Sequence, residues 1–100
     1  MVDNIINVKI LLSNGHNWVL TKEFIHSLQR KHDRITIHIK DTPNHTFAHE
    51  LYSELDSNKY LKVETLTIKK EDKEDKFYDY NTINASTDGD KYIIQLIKDV

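Results

Sequence analysis

The chain has 100 residues, enough for one core-forming domain, with 38% hydrophobic and 30% charged residues and a net charge of −2. It contains no cysteine, which excludes disulfide frameworks, thiolate nucleophiles and cysteine-type zinc sites together. The abundance of Ile, Val, Thr and Tyr argues against disorder and for a thin core under a polar surface.

Charge is unevenly spread. Met1 to Lys40 carries six Lys/Arg against three Asp/Glu, and Glu71 to Val100 carries four against eight. All six histidines fall between His16 and His49. Met1 to Asn7 has neither a basic stretch nor a long apolar run, so no signal peptide is expected there. The longest apolar runs, such as Ile10-Leu11-Leu12, are too short to span a bilayer. These features lead to the expectation of a cytoplasmic protein without a membrane partner.

In chain order, Ile6, Val8, Ile10 and Leu12 alternate with Asn7, Lys9 and Leu11, the period of a strand with one apolar face. Ser13-Asn14-Gly15 is a hairpin signal, and Asn17 to Leu20 is the returning strand. Thr21 is a suitable cap for a helix to about Lys31, with Leu20 and Ile25 placed as a hydrophobic staple and Phe24, Ile25 and Leu28 as the buried stripe. Arg34 to Lys40 reads as a strand in which Ile35, Ile37 and Ile39 share one face.

Thr42-Pro43 is the cap and first position of a second helix to about Asp56. Its apolar face is Phe47, Leu51 and Leu55 beside Ala48 and Tyr52, and Asn58 is its stop. Leu61 to Lys69 is a strand whose alternation slips near Glu64-Thr65, which predicts a bulge. Lys70 to Lys76 reads as a charged connector, and Phe77 to Asn84 and Lys91 to Lys98 as strands joined by a turn at Ala85 to Asp90. The order β-β-α-β-α-β-β-β predicts an α+β domain over residues 1–100: a mainly antiparallel sheet of five to six strands with two helices on one face.

Candidate chemistry is sparse. His45 and His49 stand one helical turn apart with Glu50 adjacent, but Thr46 occupies the place where a zincin carries its glutamate, and a third ligand such as His38 would have to come from elsewhere. His26 and His32 could act as bases, but no local motif supplies a nucleophile. Gly15 and Gly89 are the only glycines, so no glycine-rich phosphate cradle can form. A non-enzymatic protein without metal or cofactor is therefore the expectation, with a small metal-dependent enzyme using His45 and His49 as an alternative.

Two charged surfaces remain. Arg30, Lys31, Arg34, His38 and Lys40 could form a nucleic-acid patch, although no aromatic residue lies among them in sequence. The acidic stretch contains Glu71, Asp72, Glu74, Asp75, Tyr78, Asp79, Tyr80, Asp88 and Asp90, opposed by Lys73 and Lys76. Acids interleaved with tyrosines suit a basic groove on a protein partner. The plainer accounts are a solvated strand face for the first set and a soluble loop for the second.

The segment Arg30-Lys31-His32-Asp33-Arg34-Ile35-Thr36-Ile37-His38-Ile39-Lys40-Asp41 resembles a strand segment of small prophage proteins from staphylococci and related low-GC bacteria. That resemblance implies a phage or mobile-element accessory protein acting on a host protein, as anti-CRISPR inhibitors do, and it carries over no functional residue. The resulting expectation is an inhibitor that blocks a nucleic-acid-processing or defence enzyme with its acidic surface. A homodimer through an exposed end strand is compatible with the pattern.

Overall fold

The computed structural model describes residues 4–40, 47–88 and 91–99, with the side chains of Phe47 and Asp88 outside that description. Among the described residues there are two antiparallel four-stranded sheets, one α-helix and one short 3-10 turn. β1 (Ile5–Leu12), β2 (Asn17–Thr21), β5 (Val63–Lys70) and β6 (Glu74–Phe77) form the first sheet in the order β2-β1-β5-β6. β3 (Ile25–Arg30), β4 (Arg34–Lys40), β7 (Thr82–Asp88) and β8 (Lys91–Ile97) form the second, in the order β3-β4-β8-β7. The sheets contribute to one continuous core. Its centre includes Val8, Ile10 and Leu12 from the first sheet and Ile35, Ile37, Ile39, Ile94 and Leu96 from the second, all fully buried.

This two-sheet arrangement overturns the expected α+β fold with one sheet of five to six strands and two helices on one face. The first expected helix, Thr21 to about Lys31, is a 3-10 turn at Lys22–Phe24 followed by β3. Thr21 makes no side-chain cap, and its hydroxyl instead donates to Glu23 Oε1 at 3.1 Å. The three-residue spacing of Ile25 and Leu28 looks helical for a structural reason. A register shift lies between Ile25 and Ser27, so the extra residue turns both apolar side chains to the same face of a strand.

The same effect acts in β1. A register shift between Ile5 and Asn7 breaks the expected alternation, burying Ile5 and leaving Ile6 41% exposed. In β5 the pairs Leu11 with Thr65 and Leu12 with Val63 skip Glu64, which places a bulge where the sequence pattern slips. The expected connector at Lys70 to Lys76 contains most of β6. The single strand expected at Phe77 to Asn84 is divided between β6 and β7, because residues 78–81 cross from one sheet to the other.

Other elements match their sequence signals. The β1–β2 hairpin turns at Gly15, whose φ of 89° is the left-handed conformation that glycine adopts without strain. β4 has the expected bounds. The helix α1 (Phe47–Ser57) buries Ala48, Leu51 and Leu55. Its last described bond runs from Asn58 N–H to Glu54 C=O at 3.1 Å, so it stops where expected. The turn expected at Ala85 to Asp90 does not match: β7 extends through Asp88, pairing Ala85 to Asp88 with β8. The expected cap at Thr42-Pro43 and the turn residue Gly89 lie outside the described residues.

α1 is tied to both sheets. Trp18 Nε1–H donates to Glu54 Oε1 at 2.9 Å, and His16 Nδ1 lies 2.7 Å from Glu54 Oε2. On the other side, Tyr92 of β8 hydrogen-bonds His49 at 3.1 Å and packs its ring near Tyr52. The described helix is too short and polar to cross a membrane.

Candidate functional site

The acidic segment is shaped by β6 and the corner after it. Lys70 N–H bonds Lys73 C=O at 2.8 Å and closes the β5–β6 turn, while Glu71 N–H bonds Asn4 C=O at 3.0 Å. Glu71, Asp72 and Glu74 are thereby exposed on a short, ordered hairpin. Strand alternation then separates the β6 side chains. Asp75 and Phe77 pair opposite Ile68 and Leu66 and are half-buried, whereas Glu74 and Lys76 are exposed. Asp75 lies 3.4 Å from Lys70 Nζ beside a groove of about 240 Å³ lined by Ile5, Leu28 and Ile68.

Residues 78–81 form a pinned corner. The Asn81 side-chain amide donates to Val63 C=O at 2.7 Å and to Tyr78 C=O at 3.1 Å. Val63 N–H donates to Asn81 C=O at 2.8 Å, and Asp99 N–H to Asp79 C=O at 3.0 Å. Thr82 Oγ1–H donates to Asp99 Oδ1 at 2.8 Å. The corner projects Tyr78, 67% exposed, and buries Tyr80 to 2% exposure. Tyr80 packs edge-on against Phe77 with centroids 5.4 Å apart. Asp79 is 3.5 Å from Lys98 Nζ, an exposed pair of small energetic weight.

The acidic stretch is therefore not one continuous surface. Glu71, Asp72, Glu74, Tyr78 and Asp79 remain available at or near one sheet edge. Asp75 faces a lysine, and Tyr80 belongs to the core. The end of β7, with Asp88, is opposite Lys91 of β8, and Asp90 is outside the described residues.

The basic residues also divide. Arg30 ends β3, Lys31 lies in the β3–β4 turn, and Arg34 begins β4 with Asp33 at 3.6 Å. His38 sits mid-strand, its Nδ1 3.0 Å from Ser27 Oγ. Lys40 ends β4, roughly 20 Å along the strand from Arg34 at the usual rise per residue. The aromatic partner absent from the local sequence comes from across the fold: the Arg30 guanidinium carbon stands 4.6 Å over the Phe77 ring. Their separation along the chain hides that contact from any local motif.

Of the two histidines weighed as a candidate metal pair, His49 is exposed on α1 and engages Tyr92, while His45 lies outside the described residues. Among the described residues, no three His, Asp or Glu side chains converge as a metal-binding group. No protein family, curated protein or solved structure matches the chain.

Proposed function

We propose that this chain is a non-enzymatic accessory protein that binds and inhibits a partner protein through the β6 edge and the adjoining corner. The observation that carries the reading is Tyr78: a large ring left exposed on a backbone held by the Asn81 amide and by main-chain bonds to Val63 and Asp99. A ring presented from an ordered backbone loses little conformational freedom on contact, which favours its use as an anchor. Glu71, Asp72 and Glu74 lie within roughly 25 Å of Tyr78 along the hairpin, inside the reach of a standard interface. Their charge suits a basic groove and would speed association at low salt.

Together with the prophage resemblance of Arg30 to Asp41, that complementarity gives the partner a class: a host nucleic-acid-processing or defence enzyme. The acids act as steric and electrostatic occupants of its nucleic-acid groove. The resulting inhibition needs no bond-making step.

Paired captures from host extract test this reading. The bait proteins are wild type, a Glu71→Lys/Asp72→Lys/Glu74→Lys variant, Tyr78→Ala, and a Lys31→Glu control. The expected result is a nucleic-acid-processing enzyme retained by wild type and the control, released by salt, and lost from the other two. Identical captures by all four proteins would remove this surface from the account. A gel shift by wild-type protein, abolished in the Lys31→Glu variant, would favour the basic end of β3 and β4 instead.

A further inference from the structure

We infer that two copies of this chain associate through β7, edge to edge and antiparallel, joining the second sheet of one copy to that of the other. β7 has β8 on one side and, among the described residues, no strand on the other. Such an edge offers main-chain donors and acceptors to any strand unless something blunts it.

The other outer strands carry such features. β6 has four residues, three of them charged. β3 contains a register shift and ends in Arg30. β2 has five residues, runs directly into the 3-10 turn, and has its Trp18 ring bonded to α1. β7 differs from all three. It has seven residues, pairs with β8 without a register shift, and has no charged or proline residue from Thr82 through Thr87.

A second copy suits this edge because the strand is complementary to itself. With a two-fold axis at Ala85, Asn84 lies opposite the partner's Ser86 and Ile83 opposite the partner's Thr87. Small uncharged residues then meet at the centre, with no like-charge pair among those positions. A groove of about 240 Å³ runs beside β7, lined by Leu55, Leu61, Ile83 and Ala85. Its far wall is the C-terminal part of α1, with Tyr52, Leu55 and Asp56, so an incoming β7 would lie beside that helix. Asn84 and Ser86 are exposed and available for cross-strand contact. This interface uses a different sheet from the partner surface proposed above, so each proposal can fail without the other.

Sedimentation equilibrium over micromolar to millimolar protein should show a mass rising from 11.8 kDa toward twice that value. Amide exchange in β7 should slow over the same range. Asn84→Lys together with Ser86→Lys opposes like charges twice across the axis and should weaken the dimer roughly tenfold or more. Asn84→Lys together with Ser86→Glu instead opposes unlike charges and should restore it, with unchanged thermal melting reporting an intact monomer. A monomer at every concentration overturns the inference. So does a doubly lysine-substituted protein that dimerises like wild type, or equal weakening in both charge variants. The concentration dependence of exchange needs no variant and decides the matter if a substituted chain fails to fold.

Discussion

α1 and β3 present nearly the same apolar spacing and adopt opposite structures. In α1, Ala48, Leu51 and Leu55 recur at three and four residues, the period that puts side chains on one helical face. In β3, Ile25 and Leu28 are also three apart, yet both reach the core from an extended strand because the register slips between Ile25 and Ser27. A three-residue apolar spacing therefore has two physical solutions. The choice falls to whichever neighbour can satisfy the backbone: α1 closes its own hydrogen bonds, while β3 takes them from β4.

The largest effect should come from the helix side of that comparison. Leu51 is fully buried, and Leu51→Ala should cost about 4 kcal/mol by lost burial and the cavity left behind, measured by denaturant unfolding. Leu28 is 8% exposed on an outer strand, where neighbours can relax, and Leu28→Ala should cost about 2 kcal/mol. Equal costs would show that β3 is packed as tightly as α1.

Glu54 tests the polar attachment of the helix. It accepts from Trp18 and meets His16, and Glu54→Ala should cost about 1–2 kcal/mol by leaving the indole N–H without this acceptor. Tryptophan fluorescence should report the same loss at Trp18. The smallest effect belongs to His26, exposed at the β3 irregularity, where His26→Ala should change stability by no more than about 0.5 kcal/mol. Deleting His26 altogether is the sharper experiment. It removes the extra residue and leaves Ile25 and Leu28 two positions apart, still on one face, so β3 should keep its pairing with β4, now in unbroken register, in amide-exchange measurements.

The candidate site was legible in a similarly uneven way. The acidic bias and the positions of Tyr78 and Tyr80 are plain in the sequence. Their division into an exposed ring and a core ring arises at the corner between β6 and β7, which is set by Asn81 bonding back to Val63. The Arg30–Phe77 stack was out of reach because it joins residues from separate sheets. The outer position of β7, with no further strand beside it among the described residues, was concealed differently: its residues look ordinary until the other outer strands are seen beside it.

The sequence alone determined the β1–β2 hairpin, the bounds of β4, the C-terminal stop of α1 and the bulge at Glu64, because each depends on neighbouring residues and local backbone preference. Tertiary structure decided that Ile25 to Arg30 is a strand, that the charged connector pairs as β6, and that the strands separate into two sheets. Those outcomes depend on backbone partners supplied from distant parts of the chain, and a local apolar pattern records that a side chain is buried without recording which neighbour buries it.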